Sequence, residues 1–233
     1  MKFERYIFQN QACDSFTASN PSFCGLFSNK NKVTFPKDKI IPLIDDSEEC
    51  CEKIGEVVDN YPQKWLKRLN KKGYKIIVAP GIDDISLFHG GACIKRKNKL
   101  SSTYFDKKPN KSFFAFSDKL IHTPNYEYVI NKELSYGIVQ ELKLDKDKKL
   151  NKFLMEDMDS ISKEKKLAKF GDTKKEEVLK FIFNDKFKLN SQKVIARTMA
   201  LGMTDGLKDR KELVNYVLPK FSSAVYSLVQ KAR

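Results

Sequence analysis

His89-Gly90-Gly91-Ala92-Cys93 sets an imidazole and a thiol four residues apart in one glycine-bearing stretch. A thiolate beside an imidazole is a nucleophile able to attack an acyl carbon. Gln11-Ala12-Cys13 with His122 and Asn125 offers the same chemistry at longer range. Neither set has the flanking signature or spacing of a cysteine-protease family, so an enzyme built on Cys13 or Cys93 is the lesser of the functional alternatives. Asp83-Asp84, after Pro80-Gly81, has carboxylates that a hard cation could use, but turn chemistry in a solvated loop is the simpler account. The chain contains no GxGxxG, P-loop or GxSxG motif, which leaves nucleotide cofactors and serine hydrolysis without support.

The elements that must position such residues come from a chain of 233 residues, 41% of them hydrophobic, enough for one substantial core. Lys and Arg number 44 against 30 Asp and Glu, a net charge of +14 that favours an acidic partner: a protein, an anionic surface or nucleic acid. Most of the excess is lysine in scattered runs such as Lys95-Arg96-Lys97, and no known nucleic-acid motif accompanies it; a basic nucleic-acid-binding protein is therefore the runner-up reading. The cysteines Cys13, Cys24, Cys50, Cys51 and Cys93 form an odd set without a CxxC pair, the pattern of reduced thiols. No unbroken apolar run precedes Cys13 and no stretch approaches the roughly 20 apolar residues that span a bilayer. The expected location is cytoplasmic, or exported without a cleaved signal peptide, with no transmembrane segment.

Residues 1–47 lack a sustained period and read as an irregular N-terminal arm with short strands near 32–35 and 40–44. Ser47-Glu48-Glu49 starts a helix that runs to about Val58, and Pro62 starts a second, bearing Trp65, Leu66 and Leu69, that ends at Gly73. Residues 74–79 (YKIIVA) read as a buried strand, residues 81–110 as loop, and residues 111–117 (KSFFAFS) as another strand. Helices are expected over 129–144, 174–183, 191–203 and 210–231, the last kinked at Pro219, with an Asp/Lys-rich segment between 144 and 172. The fold class is α+β: a small mixed sheet followed by a mostly helical C-terminal half, with the domain proper spanning 48–233.

In order along the chain, WLKRLNKKGYKIIVAPGIDD (65–84), FFAFSDK (113–119), INKEL (130–134), SQKVIARTMA (191–200) and the tail 210–229 resemble segments of the anthrax lethal factor family of zinc proteases, which includes the clostridial Pro-Pro endopeptidases. The resemblance implies a zincin-like domain. In that family two histidines at i and i+4 of one helix bind Zn²⁺, an intervening glutamate is general base, and a later helix supplies a glutamate ligand.

Two registers are open here. Aligning INKEL with the family's approach to the motif puts Ser135, Tyr136 and Val139 at the first histidine, the glutamate and the second histidine. Aligning KELSY with the motif itself puts Lys132 and Tyr136 at the histidines and keeps Glu133. Neither supplies an imidazole, because the only histidines of the chain, His89 and His122, lie outside the helix. At the third ligand stands Arg197, a fixed cation, for which two readings stand: an ion pair with Glu133 or Glu141 in place of a metal, or plain solvation on an ordinary helix. The resemblance thus implies a pseudoenzyme without metal or other cofactor. It also implies a protein-binding module, as in the metal-free amino-terminal domains of lethal and edema factors, which serve in docking. Phe113, Phe114 and Phe116 are expected on an edge strand that could accept a partner's peptide, with core packing the favoured account of these side chains, and an acidic partner protein suits the basic surface.

Overall fold

The computed structural model describes residues 40–42, 48–81, 100–105, 112–163, 167, 170–183 and 189–233. Cys13, Cys24, Asp83-Asp84, His89, Cys93 and the strand expected near 32–35 lie outside the described residues. The chain divides by its own contacts after Lys32, and every described residue belongs to the second unit, 33–233.

The elements run β1 (Ile40–Pro42), α1 (Glu48–Asp59), α2 (Gln63–Lys71), β2 (Lys75–Ala79), β3 (Ser101–Tyr104), β4 (Phe113–Ser117), a 3₁₀ turn (Asp118–His122), α3 (Tyr126–Leu142), a 3₁₀ turn (Leu144–Lys146), α4 (Lys148–Lys163), α5 (Asp172–Ile182), α6 (Ser191–Met203), α7 (Lys208–Val217) and α8 (Pro219–Ala232). The class is α+β, with a mixed sheet and a helical C-terminal half. Among the described residues no helix is long and apolar enough to cross a membrane.

The strand order is β1-β2-β4-β3, parallel except for β3, which runs antiparallel to β4. Three expectations change here. Strand β1, read as part of an irregular arm, joins the sheet beside β2, so the domain begins before residue 48. Strand β3 lies within the stretch read as loop; its SSTY sequence has no apolar run to announce it. The Phe113–Ser117 strand is central rather than at an edge, paired with β2 on one side and β3 on the other, and all five of its residues are buried. Its main chain is therefore committed to the sheet, and the docking role expected of Phe113, Phe114 and Phe116 falls with its edge position.

In keeping with the favoured account, those phenylalanines hold the core. Phe114 and Phe116 point into the main apolar cluster, whereas Phe113 and Ala115 point to the opposite face with Ile77 and Ala79. The Phe114 ring stacks on Tyr74 with centroids 5.1 Å apart. Helix α3 crosses the sheet so closely at Gly137 that a Cβ there would lie 2.7 Å from Phe114 Cζ, inside any tolerable contact. Glycine is thus what lets α3 lie on this strand.

The helical half differs from expectation in two places. The Asp/Lys-rich segment contains α4, whose Leu150, Leu154, Asp157 and Ile161 recur at helical spacing and are all buried. Pro219 does not kink one helix but begins a new one: it occupies the first turn of α8, where its missing N–H costs nothing. The Asp157 carboxylate of α4 accepts the Phe221 N–H at 2.8 Å in the same turn, capping α8 from a distance in sequence of 64 residues.

Candidate functional site

Helix α3 is the hub, because it packs on the sheet, on α1 and α2, and most extensively on α6. Several of its polar residues are buried and meet particular neighbours. Ser135 is fully buried and shares a hydrogen bond of 3.2 Å with the Tyr61 hydroxyl. Val139 is fully buried in the apolar core. Glu133 accepts hydrogen bonds from Ser101 Oγ at 2.7 Å and from Thr103 Oγ1, which ties α3 to strand β3, and Lys132 Nζ lies 3.1 Å from the same carboxylate. Asn131 donates to Thr204 Oγ1 at 3.1 Å, joining α3 to the end of α6.

Lys132 and Tyr136, four residues apart, leave α3 on the side that meets Arg197 of α6. Tyr136 is within hydrogen-bond reach of the Arg197 guanidinium. Tyr128, Lys132 and Arg197 line a cavity of about 470 Å³, with Phe181 of α5 and Arg210 and Val217 of α7 among its other walls. Burial pushes the phenols of Tyr128 and Tyr136 up to about 12, although Arg197 acts in the opposite direction on both. Both hydroxyls are therefore neutral hydrogen-bonding groups at physiological pH rather than bases.

Arg197 has a definite occupation. Its Nη1 donates to the Lys180 carbonyl at 2.6 Å and the Phe181 carbonyl at 3.2 Å, and its guanidinium lies over the Phe181 ring, 5.8 Å from the centroid. One turn earlier on α6, Lys193 Nζ donates to the Phe183 carbonyl at 2.9 Å. Two cations thus cap the C-terminal end of α5, where the peptide dipoles leave partial negative charge. The ion pair expected between Arg197 and Glu133 or Glu141 does not form. Glu133 is engaged by Ser101, Thr103 and Lys132, and Glu141 accepts from the Tyr74 hydroxyl at 3.2 Å and lies 3.7 Å from Lys72 Nζ.

Lys132 and Arg197 line one cavity and Tyr136 lies within hydrogen-bond reach of Arg197, whereas Ser135 and Val139 are fully buried. Among the described residues no group of three or more His, Cys, Asp or Glu could hold a metal ion. Of the cysteine-based sets, His122 and Asn125 are exposed on the approach to α3, and their expected thiol partner lies outside the described residues. Cys50 is buried, and desolvation pushes its thiol up to about 12, the opposite of an activated nucleophile. Sequence reasoning did not find Tyr128, Phe181 or Arg210; Tyr128 was legible as the i−4 neighbour of Lys132, but nothing local marks the other two. The chain matches no family model and no curated protein.

Proposed function

We propose that this chain is a catalytically inactive, zincin-like domain of the lethal factor type that acts by binding a partner protein of acidic character, as toxin and effector modules do. The observation that carries the reading is the gathering of Lys132, Tyr136 and Arg197 where α3 meets α6: Lys132 and Arg197 line one cavity, and Tyr136 lies within hydrogen-bond reach of Arg197. These are the positions that the KELSY register assigns to the two histidines and the third ligand. A mixed sheet with an antiparallel outer strand beside α3 is consistent with the same frame. In place of three ligands the site holds two cations and a neutral phenol. A unit charge about 4 Å from a dication costs roughly 8 kcal/mol at an effective dielectric near 20, so Arg197 opposes a metal there. The retained carboxylate, Glu133, is bound by two hydroxyls of β3 and an ammonium, which leaves it positioned as a structural acceptor rather than a base.

Zinc affinity, measured by competition with a chromogenic chelator, tests the frame. The native chain is expected to hold no stoichiometric zinc, and one tightly held zinc per chain would overturn the reading. Lys132→His/Tyr136→His/Arg197→Glu is expected to gain zinc binding, whereas Lys132→His/Tyr136→His with Arg197 kept is not. Equal affinity in the two variants would remove Arg197 from the third-ligand position.

A further inference from the structure

The cavity that collects these residues has a composition suited to a particular ligand chemistry. Its charged walls are Lys132, Lys180, Arg197 and Arg210 against Glu176 and Glu177, leaving two positive charges in excess. The two carboxylates are already engaged: Lys180 lies 2.6 Å from Glu176, and Arg210 Nε donates to Glu177 at 3.0 Å. Arg197 is different, because its Nη1 donates to two carbonyls, which align its charge without cancelling it. Lys132 is held from one side only, by Glu133 outside the cavity wall. Apart from Tyr128 and Thr173, the remaining walls are apolar, among them Val178, Phe181, Val214 and Val217. A cavity near 470 Å³ falls within the range of small-ligand sites.

The geometry points to this cavity as a binding site for a carboxylate carried on an apolar body, with the anion at Lys132 and Arg197 and the aliphatic part against Phe181, Val214 and Val217. It rests on the cavity being the binding site of the domain, but not on descent from a zinc protease. The group could arrive on a free aliphatic acid or on an acidic-aliphatic segment of a protein, and the chemistry of recognition is the same. A carboxylate gains charge-assisted hydrogen bonds here that the matched alcohol or amide cannot, and its alkyl portion leaves water.

Isothermal titration of the full-length protein at low ionic strength tests this with two matched pairs of probes. One pair is octanoate and octanol; the other is the blocked peptide Ac-Glu-Leu-Leu-NH₂ and its Gln counterpart. Saturable binding of octanoate or the Glu peptide, on the order of tenfold tighter than its neutral match, is expected. The pair with the tighter acid identifies the source. Lys132→Gln should weaken that binding on the order of tenfold while the thermal melting curve stays close to that of the native chain. Lys220→Gln, which removes an exposed cation paired with Glu156, should leave binding unchanged. Failure of both acids to bind, equal binding of acid and neutral match, or indifference to Lys132→Gln would each overturn the proposal. None of these outcomes depends on zinc, so the two readings fail separately.

Discussion

On α3, Ser135 and Glu133 project in nearly opposite directions, yet each meets hydroxyl partners on a neighbouring element: the Tyr61 hydroxyl for Ser135, and the hydroxyls of Ser101 and Thr103 for Glu133. On the open flank between them, Lys132 lines a cavity with Arg197, and Tyr136, one helical turn on, lies within hydrogen-bond reach of that guanidinium. Both pairs lie within five residues of one helix. The difference teaches that a polar residue's burial does not decide its role; what matters is whether its partners close around it. Closed polar contacts specify how α3 sits on its neighbours, because a buried group left unpaired is costly. The open flank retains donors that an incoming anion can use.

Three measurements sharpen or break that contrast. The largest effect belongs to the packing beneath α3. Phe114→Ala removes a fully buried ring that stacks on Tyr74 and fills the space under Gly137, and should cost about 3–5 kcal/mol in urea unfolding. A loss below about 1 kcal/mol would mean that α3 does not lie on this strand as described.

Next comes the closed pair itself. Ser135→Ala strands the buried Tyr61 hydroxyl and should cost about 1–3 kcal/mol, most of it recovered in Ser135→Ala/Tyr61→Phe, where neither polar group remains. Additive losses in the double variant would show that the two side chains do not interact.

The smallest effect concerns alkaline pH and the open flank. An unfolded phenol loses its proton near about pH 10, whereas burial holds that of Tyr136 up to about 12. Between these values the folded state binds more protons than the unfolded, so this contribution is fully present below about pH 10 and is lost as pH rises through about 12. Tyr136→Phe should therefore make the decline of stability above about pH 10 shallower, by up to one proton in its dependence on pH. An unchanged slope would place the Tyr136 phenol in bulk water, contrary to its position beside Arg197.

Much of the local structure was legible in the chain. Acidic residues after Ser47, proline at 62, glycine at 73 with its positive φ of 74° and the apolar run of YKIIVA mark α1, α2 and β2 by local chemistry alone. Helix α4 was present as a pattern of Leu150, Leu154 and Ile161, but the lysines and aspartates between them obscured it. Strand β3 was not legible, since four residues of SSTY become a strand only by pairing with β4.

For the site, composition alone determined that no histidine could ligate a metal on α3, because His89 and His122 are the only imidazoles and neither belongs to that helix. The sequence likewise determined that a permanent cation stands at Arg197 and that Lys132 and Tyr136 share a helical face, since charge and a 3.6-residue period are local properties. Only the tertiary structure decided that Lys132 and Arg197 line one cavity while Ser135 bonds the Tyr61 hydroxyl. It alone decided that Arg197 caps α5 instead of pairing with a glutamate, and that FFAF is buried between two strands. Each of these depends on which distant surfaces meet, and a run of residues encodes its own period but not the identity of the element packed against it.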